Sequence, residues 1–171
     1  MKKYKGIIVA FNLVLLLLYF NYSIAKKEEI LRDGQLILLE LAPVDPRSLM
    51  QGDYMQLRYK MATETDIDSI ARRGYCVVRL GNGSVANLVR FQQETTPLFE
   101  GEFLIAYTTP NKWSIEIGAE SFFFQEGHAE KYEQATYGAI QVDNAGNSIL
   151  VGLYDTDLRR ITYFNLKQDD K

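Results

Sequence analysis

One cysteine and one histidine in 171 residues set the first limits on this chain. The lone thiol, Cys76, cannot close a disulfide within the chain. It sits in the apolar run YCVVRL, where a small buried hydrophobe is the expected role and a reactive thiol or an intermolecular bridge is the alternative. A Ser-His-Asp triad would have to be built around His128, and a zinc site there would need further ligands from elsewhere. Glu126, His128 and Glu130 alternate at the start of a short helical stretch, where residues two apart point to different faces. A capping or exposed histidine is therefore expected. The sequence has no glycine-rich phosphate loop, no internal repeat and no low-complexity tract. Basic residues cluster no further than pairs such as Arg72-Arg73 and Arg159-Arg160, so no nucleic-acid partner is expected, because that function needs a basic stripe. No metal and no cofactor is expected.

Charge is also absent from Gly6 to Ala25, a run centred on four leucines, Leu15 to Leu18. Twenty residues at a rise of 1.5 Å reach about 30 Å, the thickness of a bilayer's hydrocarbon core. Lys2, Lys3 and Lys5 precede the run, which favours a cytoplasmic N-terminus and an extracytoplasmic remainder at the inner (plasma) membrane. Two readings fit: an uncleaved anchor, or a signal peptide cut after Ser23-Ile24-Ala25 by the small-x-small rule. The run exceeds the usual apolar core of a signal peptide, which favours the anchor, while Asn12 and Asn21 weaken the span slightly. Three of the 19 basic residues and none of the 22 acidic ones fall in this first part, leaving 16 against 22 beyond it, a formal −6.

The rest reads as one domain of ordinary size. Residues 1–5 form a basic cytoplasmic start, 6–25 the anchor helix, 26–34 a charged juxtamembrane connector, 35–166 the domain and 167–171 a polar tail. The connector can carry the anchor's last turns into water until Gly34 ends it. QLILLELA, from Gln35 to Ala42, is short, apolar and bounded by Gly and Pro, which predicts a buried strand. Asp53 to Lys60 predicts another, with Met55, Leu57 and Tyr59 on one face and Tyr54, Gln56, Arg58 and Lys60 on the other. Ala62 to Arg73 predicts a helix capped by Thr63 or Thr65 and stopped by Gly74. Three hairpins follow from turn chemistry: YCVVRL and VANLVRF across Gly81-Asn82-Gly83-Ser84, Phe103–Thr108 and Trp113–Ile117 across Pro110-Asn111-Lys112, and Thr136–Val142 and Ile149–Tyr154 across Asp143 to Asn147. Gly127 to Ala135 is a short helix and Leu158 to Leu166 a last strand. About nine strands and two short helices predict a mainly β, β-rich α+β fold: an antiparallel β sandwich or partly closed barrel behind an N-terminal transmembrane helix.

One stretch carries a specific pattern. Gly52, Asp53, Tyr54, Leu57 and Tyr59 fit Gly-Asp-Tyr-x-x-Leu-x-Tyr. The lead-in Ala42 to Arg47, the block Phe122 to Gly127 with Tyr132 and Ala135, and the ending Gly146, Leu150, Gly152, Leu153 and Asp155 extend the likeness. The chain resembles the GDYXXLXY family of membrane-anchored bacterial proteins. That resemblance implies a membrane anchor and association with a multi-span membrane protein, and brings no activity with it. Gln125 stands where the family pattern leads one to expect an acid or another polar residue, so no catalytic role rests on it.

The same residues have a structural explanation. Glycine permits a sharp turn, aspartate can fix it through backbone N–H groups, and tyrosine packs a large ring with a polar tip. Pro43 and Pro46 stiffen the approach. Asp45, Arg47 and Asp53 stand close together beside this turn, either as a salt-bridged loop or as a recognition site for a peptide or glycan. Leu49-Met50-Gln51-Gly52-Asp53 also resembles the Leu-x-x-Gly-Asp that follows the nucleophile of signal peptidases and related Ser-Lys hydrolases. Counting back, however, puts Pro43 at the nucleophile position, and neither nearby Ser48 nor Lys60 matches the pattern. Phe122, Phe123 and Phe124 cannot all face one core, so at least one is expected to be exposed or to cover another element.

The expected function is a membrane-anchored binding or interaction domain, with Asp45, Arg47, Gly52, Asp53, Tyr54, Leu57, Tyr59 and Glu126 as its motif and candidate binding residues. The alternative is an envelope hydrolase using Asp45, Asp53 and Glu126 as acid–base groups. A third reading makes the motif purely structural.

Overall fold

The computed structural model of the chain describes residues 2–42, 54–111, 114–125 and 129–162. It opens on a single long helix, α1 (Lys2–Asp33). The apolar run and the Lys/Glu-rich segment after it are both good helix formers, so the helix passes through Ala25 unbroken. Arg32 lies in its last turn, where a cation suits the helix dipole. Ile7 through Phe20 present their large side chains outward, and α1 is long and apolar enough to cross a membrane.

Only Gly34 separates α1 from the first strand, β1 (Gln35–Glu40). The Gly34 N–H donates to Ile30 O at 3.0 Å. A Cβ at this position would collide with that same carbonyl and press on the Val142 backbone. Ile30 is buried against the domain, and Gln141 Nε2 donates to Leu31 O at 3.3 Å. Helix and domain are thus joined without a flexible linker. Gly34→Val is expected to cost about 1–3 kcal/mol by overpacking and to open the joint. Thermal melting in detergent, with limited proteolysis around Asp33, reads both effects.

Among the described residues the strands form three antiparallel sheets and no closed barrel. One has the order β1-β8-β9, with β8 (Tyr137–Val142) between β1 and β9 (Ser148–Tyr154). The second has the order β4-β3-β5-β6, built from β3 (Arg73–Leu80), β4 (Ala86–Gln92), β5 (Glu102–Asn111) and β6 (Ser114–Glu116). The third pairs β2 (Tyr54–Gln56) with β7 (Ser121–Phe123). One core joins them: Ile37, Ile140 and Leu153 from the first sheet, Cys76, Val78 and Ile105 from the second, and Met55, Leu57 and Tyr59 from the motif segment. Cys76 is fully buried, and burial pushes its thiol up to about 12, consistent with an inert hydrophobe.

The predicted hairpins form as β3–β4, β5–β6 and β8–β9, and β1 holds its predicted place. Three expectations are corrected. Ala62–Arg73 is not one helix: it holds the end of a four-residue helix, α2 (Lys60–Thr63), a 3-10 turn (Ile67–Ser69) and the start of β3. Side chains that compete for the backbone explain this: Thr63 and Thr65 hydroxyls donate to Lys60 O and Met61 O, and Asp66 Oδ1 accepts from Asp68 N. The strand expected over Asp53–Lys60 is regular only over Tyr54–Gln56, because Lys60 already starts α2. In the described part of Leu158–Leu166 there is no strand but a turn and one bridge, Arg160 to Tyr154; Asp155 Oδ1 accepts from Asp157 N and Arg159 N and curls the chain. The described residues also contain α3 (Ala129–Tyr132), where a short helix was expected.

A buried carboxylate fastens the β4–β5 connection. Glu102 accepts from Arg90 Nη1 at 2.9 Å and Nη2 at 2.8 Å, from Arg79 Nη2 at 3.3 Å and from Phe99 N at 3.1 Å. Arg90 also reaches Pro97 O and lies 5.4 Å over the Phe99 ring. Hydrogen bonding from Arg90 above all holds the Glu102 carboxyl below the ordinary glutamate value, against its desolvation. A carboxyl lowered on folding stabilises the fold above its unfolded value and loses that contribution as pH falls through the folded one. Glu102→Gln is therefore expected to flatten the fall in melting temperature below about pH 4.5. A melting series from pH 7 to pH 3 checks this.

Candidate functional site

The described part of the motif segment, Tyr54 to Tyr59, lies where all three sheets meet. Its alternation survives in three dimensions: Met55, Leu57 and Tyr59 are buried, while Gln56 and Arg58 are exposed. β2 pairs with β7 in the register Tyr54↔Phe123, Met55↔Phe122 and Gln56↔Ser121. The ladder continues irregularly, with Leu57 N donating to Glu120 O at 2.6 Å and the Tyr59 hydroxyl to Ala119 O at 2.5 Å. On its other side the segment bridges the end of β1, through Leu41↔Tyr59 and Ala42 N to Arg58 O at 2.8 Å. Tyr59 is 2% exposed and packs on Gly138 of β8, where a Cβ would stand only 3.0 Å from its ring. Burial, with the Glu120 charge nearby, raises its hydroxyl well above the ordinary tyrosine value, so it serves as a donor.

The described parts of the two sequence blocks, Tyr54 to Tyr59 and Phe122 to Gln125, therefore share a ladder. The phenylalanines divide as alternation requires. Phe122 and Phe124 pack on Tyr132 of α3, with ring centroids 4.9 and 5.6 Å away. Phe123 points outward, 73% exposed, and its ring lies 5.7 Å from that of Tyr54. From Gln56 onward along the segment, a cleft of about 800 Å³ opens. Leu57, Tyr59 and Ile115 form part of its lining, with Arg58, Asp66, Asp68, Glu116 and Glu120 among its charged groups. Glu120 is engaged with the turn before it, accepting from Ile117 N and Gly118 N. Among the described residues, no three His, Cys, Asp or Glu side chains gather as a metal site.

Of the sequence-predicted site residues, Tyr54, Leu57 and Tyr59 converge here. Asp45, Arg47, Gly52, Asp53 and Glu126 lie outside the described residues, as do Ser48 and His128. Lys60 is engaged by Glu40, Nζ to Oε1 at 3.0 Å, and this hydrogen bond raises its ammonium above the ordinary lysine value. The sequence reading missed β7 and the cleft. Three residues are too short for alternation to declare a strand, and the cleft's walls come from segments about fifty residues apart.

The GDYXXLXY family model matches residues 16–153. The chain belongs to the GDYXXLXY family. No curated protein and no solved structure matches it. The family-like residues near the end of the match have structural work in this fold. Gly146 turns the β8–β9 hairpin at φ +85, accepts from Ala106 N at 2.8 Å and leaves no room for a Cβ beside Tyr75. Leu153 is fully buried, and Asp155 holds its turn. Against that background Phe123 stands out, because it is a large apolar ring that the domain leaves uncovered.

Proposed function

We propose that this GDYXXLXY protein is a single-pass inner-membrane protein whose β-rich extracytoplasmic domain binds another membrane protein, a multi-span one. The observation that carries this reading is Phe123, a 73%-exposed ring whose centroid lies 5.7 Å from that of the motif's own Tyr54, on the short sheet from which a cleft opens at Gln56. Aromatic residues, Phe included, are enriched at interfaces, and a few such anchors carry most of the binding energy. The N-terminal lysines support a cytoplasmic start. An uncleaved anchor is supported by the unbroken helix across Ala25 and by Ser23, which lines a crevice against the domain. The hydrolase alternative rests on Asp45, Asp53 and Glu126 by sequence alone. The test is affinity capture of tagged full-length protein from mild-detergent membranes, beside Phe123→Ser. A specific membrane protein retained by the parent and lost with the variant is expected. No retained protein removes the reading, and equal retention by both removes Phe123 as its anchor.

A further inference from the structure

Asn12 lies within the apolar run, some 5 Å from its middle at 1.5 Å per residue. Its Nδ2 donates to Ile8 O at 3.1 Å, which uses one of its two N–H groups. Among the described residues its Oδ1 accepts no hydrogen bond. In hydrocarbon, such groups are satisfied by a neighbouring helix or remain costly. Asn21, which donates to Leu17 O at 2.8 Å, stands near the end of the run, where headgroups and water can serve it.

The helix itself fixes the direction in which Asn12 points. Ile30 is buried against the domain and is eighteen residues from Asn12, five turns at about 3.6 residues each. Tyr19 and Ser23 fall on the same line. Asn21, nine residues from Asn12, falls on the opposite side. Ser23, Lys26, Lys27 and Ile30 together face Ala106, Ile117 and the Gly146–Ile149 segment across a crevice of about 320 Å³. The domain therefore sits over the same face of α1 that carries Asn12, with the β8–β9 turn level with the end of the apolar run.

This overhang selects the occupant. A second copy lying parallel on this face would bring its own domain into the same space. A helix that ends at the membrane surface has no such conflict. We propose that a transmembrane helix of another protein packs along the Ile8–Asn12–Tyr19–Ser23 face of α1, beneath the domain, with Asn12 hydrogen-bonded to it. This rests on the membrane-partner reading above and adds a contact within the bilayer, independent of Phe123.

In-membrane photocrosslinking of the full-length protein tests it, with a benzophenone side chain placed at Leu16 on the proposed face or at Val14 on the opposite one. The expected result is an adduct from Leu16 and not from Val14, whose crosslinked peptide lies in an apolar span of a second protein. Asn12→Leu should lower its yield about three- to tenfold, and Asn12→Gln should retain it. Adducts only to lipid, only to another copy of this chain, or equally from both positions overturn the inference. If capture through Phe123 succeeds while Leu16 meets only lipid, the inference fails and the interaction reading stands. If neither yields a protein, both fall.

Discussion

Truncating Tyr59 to alanine is expected to cost about 3–5 kcal/mol, the range for deleting a fully buried aromatic side chain. Domains of this size hold about 5–15 kcal/mol in all, so the variant should lose a large share of the fold's stability. The size of the effect follows from position. Tyr59 closes the β2–β7 ladder through Ala119 O, bridges Leu41 at the end of β1 and covers Gly138 on β8. Removing the ring leaves a void where three sheets meet. Tyr59→Phe keeps the ring and loses only the hydroxyl's bond to Ala119 O, so about 1–3 kcal/mol is expected. Chemical denaturation of detergent-solubilised protein measures both, and the ordering, parent above phenylalanine above alanine, is the diagnostic result.

Phe123→Ser is expected to do the reverse: leave folding within about 0.5 kcal/mol and weaken partner binding by 2 kcal/mol or more, about 30-fold. Most of the ring already faces solvent, so little burial is lost. Phe99 supplies the control. It is also exposed, at 60%, but Arg90 lies over it and it belongs to the loop that Glu102 fastens. Phe99→Ser is expected to leave binding unchanged. Titration of the captured partner against the three proteins separates these outcomes.

Much of this was legible in the residues. The alternation of Met55, Leu57 and Tyr59 placed three side chains in the core, and the Asn/Gly turns placed three hairpins, because both signals are local. The motif itself pointed to the family. The misreadings came where local and distant forces compete. Ala62–Arg73 has a helix's caps and charges, yet its threonines and Asp66 bond the backbone and break it into turns. β7 exists because β2 pairs with it, and no three-residue run announces a partner more than sixty residues away. The seating of α1 on the domain, through Ile30 and Gln141, joins positions 110 residues apart and left no trace in periodicity.

The most direct test of the account takes one variant, Phe123→Ser, through two readings on the same preparation: its melting curve and its capture of the membrane partner. An unchanged melting temperature with capture lost is expected, which separates binding from folding at the motif. A melting temperature that falls together with capture would make the paired blocks purely structural. Capture that survives the substitution would place the binding surface elsewhere.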